Sequence, residues 1–171
     1  MGDEVRYWTT VGSAGTLSAT DLAKVTLGNA MIALGQGIAP ADSAPEDQSA
    51  ALPQISAVVR YNITAVDGLF PTFPFHYALQ LIYRGTVRAR LVQVDLPSGA
   101  EADLLHFDST SFSPAGSLVT NEVAATDKSS VMDFVNAAFY VEATLTTSAI
   151  TVGNPAEIAA VKVYARQSFQ H

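Results

Sequence analysis

Between Ile55 and Arg166 the chain is a succession of segments in which apolar and polar residues alternate one for one, separated by short polar turns. That spacing excludes most folds, because side chains on an extended strand point to opposite faces in turn, whereas a helix repeats every 3.6 residues. The clearest segment sets Ile55, Ala57, Val59, Tyr61, Ile63 and Ala65 against Ser56, Val58, Arg60, Asn62 and Thr64. Such a strand lies with one face on a core and the other largely in water.

The same pattern predicts strands over His76 to Arg84, Val87 to Leu96 and Ala102 to Ser109, joined at Gly85-Thr86 and at Pro97 to Gly99 as a three-stranded meander. Further strands are predicted over Ser117 to Ala124, Ala137 to Thr146 and Ile158 to Gln167. Upstream, Val5 to Val11 alternates and stops at Gly12 to Gly15. Ser18 or Thr20 caps a short helical turn reaching Lys24, Gly28 breaks it, and Asn29 to Leu34 reads as a buried strand. Residues 38–54, rich in Ala, Pro, Ser and acidic residues and without apolar periodicity, read as a long surface loop or linker. Residues 67–75 read as an ordered aromatic loop. The prediction is an all-β fold: an antiparallel β-sandwich, jelly-roll-like, of about eight strands with little helix. Its 171 residues form one domain, with N-terminal strands over 1–37, the linker over 38–54 and the main sandwich over 55–171.

Charge and composition bound the partners. With 16 acidic and 9 basic residues the chain carries a formal charge of −7, which opposes binding to phosphate backbones and anionic lipid. No nucleic-acid partner is expected. The nearest approach to a basic cluster is Arg84, Arg88 and Arg90, read as a small patch on adjacent strands that pairs with carboxylates or faces water. No apolar run approaches the roughly 20 residues that span a bilayer, so no membrane insertion is expected. Met1 to Arg6, with Asp3 and Glu4, lacks the basic and apolar regions of a signal peptide. The cytoplasm and an assembled particle or surface structure both fit that reading. The absence of cysteine removes disulfides, thiolate nucleophiles and cysteine-based zinc sites.

Residues that carry chemistry are sparse. His76 and His106 fall on strands of the predicted meander, and Asp108 shares a face with His106, so a two-histidine, one-carboxylate metal site is conceivable. No HxH or HExxH spacing supports it, and no cofactor is implied. Asp95, Glu101, Asp103 and Asp108 gather around one hairpin, where they act as a carboxylate pair, a cation site or simple partners of Arg88 and Arg90. There is no GxSxG elbow, P-loop or GxGxxG. Among the aromatics, Tyr140, Tyr164 and Trp8 are the ligand-binding candidates, because Tyr140 and Tyr164 sit on the polar phases of their strands and form a flat platform if those strands are neighbours.

Hydrophobic residues make up 49% of the chain and charged residues only 15%, and the segment at Leu79, Leu81 and Tyr83 is apolar on its second phase too, at Ala78 and Ile82. A monomer would leave part of that surface in water. The sequence therefore favours a non-enzymatic structural or assembly protein whose partner is itself, in a homo-oligomer or larger assembly. The alternatives are a carbohydrate- or small-ligand-binding module and, third, a small β-barrel enzyme.

Overall fold

The computed structural model describes residues 7–35, 54–64, 76–112, 116–126, 132–147 and 155–166. They form eleven strands and one short helix: β1 (Tyr7–Val11), β2 (Thr16–Leu17), α1 (Ala19–Leu22), β3 (Val25–Gly28), β4 (Met31–Leu34), β5 (Ser56–Ile63), β6 (His76–Arg84), β7 (Thr86–Asp95), β8 (Glu101–Asp108), β9 (Val119–Ala124), β10 (Ala137–Thr146) and β11 (Glu157–Arg166).

Two sheets pack face to face. Sheet I runs β3-β4-β11-β6-β9, with β1 also on β11, and sheet II runs β2-β5-β10-β7-β8. Every pairing is antiparallel. The inward phases of both sheets supply the core, among them Leu79, Leu81, Val161, Val59, Val141 and Leu91, each fully buried. The fold is thus the antiparallel β-sandwich that the alternation predicts. Its eight later strands are nested in their pairing: β4 with β11, β5 with β10, β6 with β9, and β7 with β8.

One expectation is overturned. β6 is not the neighbour of β7 in a meander: β6 lies in sheet I, while β7 and β8 lie in sheet II. Only Gly85 separates Arg84 from Thr86, and its φ of 73° turns the chain out of one layer into the other. A side chain there would also meet the Ala156 backbone, with a Cβ 2.9 Å from its Cα. A short connection between two strands signals a hairpin only when the strands share a sheet, and local sequence carries no information on that point.

The N-terminal segment straps one side of the sandwich. β1 pairs with β11 in sheet I, and after the 3-10 turn Gly12–Ala14 the chain reaches β2, which pairs with β5 in sheet II. The strap lies so close to the sheet that a Cβ on Gly12 would fall 1.8 Å from the Ile158 carbonyl oxygen. The buried Tyr61 hydroxyl donates to the Gly12 carbonyl at 2.9 Å. α1 follows, capped as expected by Ser18, whose Oγ accepts from the Asp21 amide at 3.0 Å. Where one strand over Asn29 to Leu34 is predicted, the structure has the hairpin β3–β4, turning on Asn29 and Ala30 with φ of 49° and 64°. The turn is of the tight type in which both central residues are left-handed. The predicted linker and aromatic loop lie outside the described residues, apart from Gln54 at the linker's end.

Candidate functional site

Strand alternation places Tyr140 on the outer face of sheet II, opposite Asn62 of β5 and Val92 of β7. The tyrosine is only 7% exposed. Its hydroxyl reaches past β7 to donate to Glu101 Oε1 on β8 at 2.9 Å, and the Arg60 guanidinium lies 5.1 Å from the ring centroid. Burial, then the hydrogen bond to Glu101, raises the phenol's pKa. Tyr164 repeats the arrangement on sheet I. It lies opposite Ala78 of β6, its hydroxyl reaches past β6 to donate to Glu122 on β9, and Lys162 Nζ stands 5.0 Å from its ring centroid.

The platform predicted from these two rings is not formed, because β10 and β11 belong to different sheets and the rings sit on opposite outer faces of the sandwich. Each ring instead ties a central strand to an edge strand. Trp8, the third aromatic candidate, lies on β1 opposite Val163 and packs half-buried against the core.

The metal candidates are separated in the same way. His76 is on β6 in sheet I, where its Nδ1 lies 3.0 Å from the Ala125 carbonyl oxygen. His106 is on β8 in sheet II, with its side chain 72% exposed and Nε2 3.5 Å from Asp103. Asp108 shares β8 with His106 but takes its hydrogen bonds from Thr110 and Arg88. The expected approach of His76 to His106 required β6 and β8 to share a sheet. Among the described residues no group of three or more histidine, cysteine or acidic side chains is placed to hold a metal ion.

The structure does gather a charged network on the outer face of sheet II. Register sets Glu142 of β10 between Arg60 of β5 and Arg90 of β7. The carboxylate accepts from Arg60 Nε at 2.7 Å and from Arg90 at 2.9 Å. Arg90 also reaches Asp103 at 3.0 Å, and Arg88 pairs with Asp108 at 2.9 Å. Burial pushes the Glu142 pKa up, but the hydrogen bonds and charges of Arg60 and Arg90 outweigh it, so the group titrates below its usual 4.5. The Thr110 hydroxyl, ahead of Arg88, holds Asp108 below its usual 3.8 against a raising effect of burial. A general acid needs the opposite displacement, a carboxyl kept protonated near neutrality. These carboxylates serve as fixed anions that order the arginines.

Arg88, Arg90, His106, Asp108, Glu142 and Thr144 surround a shallow depression of about 230 Å³. Small-molecule sites enclose roughly 300–1,000 Å³ and are mostly apolar, so this hollow is the trough of an ion-pair ladder rather than a built pocket. The predicted patch of Arg84, Arg88 and Arg90 is likewise divided. Arg84 is on sheet I, paired with the buried Glu157, and the other two are on sheet II. Asp95 closes its own turn by accepting from the Ser98 amide at 3.0 Å.

What residue-by-residue reading missed is the outer face of sheet I. Register lines up Val11, Ala160, Ile82 and Thr120 on β1, β11, β6 and β9. The available signal was the apolar second phase of β6, which marked the strand without revealing its neighbours. Compared with protein-family models and with curated proteins, the chain matches none.

Proposed function

We propose that the protein is a non-enzymatic β-sandwich subunit of a homo-oligomer or larger assembly. The observation that carries this reading is the apolar row Val11, Ala160 and Ile82 across the outer face of sheet I, with Val11 45% exposed. Ala33 of β4 lies on the same face, where the row is flanked on one side by the Arg84–Glu157 pair and on the other by Lys162, Gln80 and Glu122. The outer face of sheet II carries the linked Arg60, Glu142, Arg90 and Asp103 pairs across its middle strands. The six strands of sheet I, four to ten residues long, present roughly 600 Å² at about 3.3 Å per residue and about 4.8 Å between strands. That is close to the roughly 800 Å² per partner that a stable interface buries.

The nested pairing of β4 to β11 supports a jelly-roll form, a long hairpin rolled so that its pairs alternate between two sheets. Shell, appendage and ligand-binding proteins all use such sandwiches, so the form sets the class of scaffold and the apolar face points to the role.

Light scattering over a concentration series tests the reading. A mass above 18.0 kDa is expected for the unaltered chain, and one near 18.0 kDa for a Val11→Glu/Ile82→Glu variant with an unchanged far-ultraviolet spectrum. An unaltered chain that stays at 18.0 kDa throughout overturns it.

A further inference from the structure

Strand edges are the other surface through which a sandwich adds copies of itself, and native edges are blunted by identifiable devices. Among the described residues, β5 is guarded where β2 does not cover it: Lys24 Nζ donates to the Ser56 carbonyl at 3.0 Å, and the Asp21 carboxylate accepts from the Val58 amide. Asp21 and Lys24 hold each other in place at 2.9 Å. β8 carries a bulge at Leu104 together with Glu101, Asp103, Asp108 and the exposed His106. β1 and β3 are short, at five and four residues.

Among the described residues, β9 has none of these devices. It spans six residues, Val119 to Ala124, in regular register with β6, without proline, lysine or bulge. Its one charged residue, Glu122, is drawn onto the sheet face by the Tyr164 hydroxyl and by Gln80 at 3.3 Å. Leu118, just before it, is 42% exposed.

We infer that β9 is the edge at which a second copy of this chain adds, antiparallel, across a twofold axis at Asn121. The inference rests on the assembly reading and names one contact within it. The sequence of β9 is self-complementary in that register. Val119 opposes Val123 on the core side, Thr120 opposes Glu122 on the outer side, and Leu118 opposes Ala124. Centring the pair on Glu122 would set two like charges directly opposite, and centring it on Thr120 would set Leu118 against Glu122. The product is one continuous sheet in which two copies of sheet I share a core side and an outer face, each apolar row running on through Thr120 into the partner copy's row of Glu122, Gln80 and Lys162.

Thr120, exposed and outward-facing, provides the test. Thr120→Glu places four carboxylates around the axis and is expected to weaken dimerisation at least tenfold at low salt. Thr120→Lys sets an ammonium opposite each Glu122 and is expected to match or exceed the unaltered chain. In this cysteine-free protein, Asn121→Cys is expected to give a dimer cross-linked without background, because directly opposed residues lie within disulfide reach. An oligomer that Val11→Glu/Ile82→Glu dissociates but Thr120→Glu leaves intact overturns the β9 contact alone. An unaltered chain that is monomeric at every concentration overturns the assembly reading as well.

Discussion

The Tyr140 hydroxyl donates to Glu101 at 2.9 Å from the far side of β7, so a central strand of sheet II is fastened to the edge strand β8 by a single side chain. Tyr164 and Glu122 do the same for β9 in sheet I. Both phenols are nearly buried on outer faces that would otherwise be solvent-washed. Tyr140→Phe keeps the ring and removes the tie. A loss of about 0.5–1.5 kcal/mol in urea unfolding is expected. Hydrogen exchange should accelerate at the β8 amides of Ala102 and Leu105 and stay unchanged in β5. Uniform acceleration in both strands would show that the bond does not act locally.

Ala30 holds a φ of 64° in the β3–β4 turn, a left-handed conformation that costs an alanine about 1–2 kcal/mol. Glycine takes it without the Cβ clash but loses more entropy on folding. Ala30→Gly is expected to raise stability by about 0.5–1 kcal/mol. The denaturation midpoint should rise with an unchanged slope.

Tyr61 fastens the N-terminal strap through its bond to the Gly12 carbonyl. Tyr61→Phe leaves that buried carbonyl without its donor, and the expected cost is about 1–3 kcal/mol. Gly12→Ala forces a Cβ into the space of the Ile158 carbonyl and should release β1 from β11. Limited proteolysis is the measurement: new cleavage within residues 7–17 is expected for Gly12→Ala, ahead of any cleavage in β5 to β11.

Stability should fall at both ends of the pH scale, for opposite reasons. Glu142 titrates below its usual 4.5 in the folded chain, so its contribution is complete above that value and is lost as pH falls through the folded pKa. Burial raises the Tyr61 phenol well above its usual 10.0, so its contribution is complete below pH 10 and is lost as pH rises beyond it. Chemical denaturation across pH should show Glu142→Gln flattening the acid limb only and Tyr61→Phe flattening the alkaline limb only. The acid effect shrinks with added salt, since Arg60 is 53% exposed.

Strand identity was legible wherever alternation was clean. The reading of β10 as Ala137 to Thr146 matches the structure residue for residue, because Phe139, Val141, Ala143 and Leu145 face the core against outward-facing Tyr140, Glu142 and Thr144. β3 was not legible. Val25 to Gly28 has one half-buried residue and three exposed ones, so it carries no alternation and owes its extended form to pairing with β4. The aromatic and metal candidates were legible as residue types and as faces, but not as constellations. Tyr140 and Tyr164 point outward as their phases require, on sheets that face away from each other.

Sequence by itself determined that this chain is a β-sandwich, and which side of each long strand is buried, because alternation is a local property set by the geometry of one extended segment. Tertiary structure alone decided the layer to which each strand belongs. Gly85 sends β6 and β7 into different sheets, and β4 meets β11 only after most of the chain has intervened. Such pairings depend on which distant edges fit once the core is shared, and no residue encodes that within its own neighbourhood. The same step separated His76 from His106, and it aligned Val11, Ala160 and Ile82 into the face on which the proposed assembly rests.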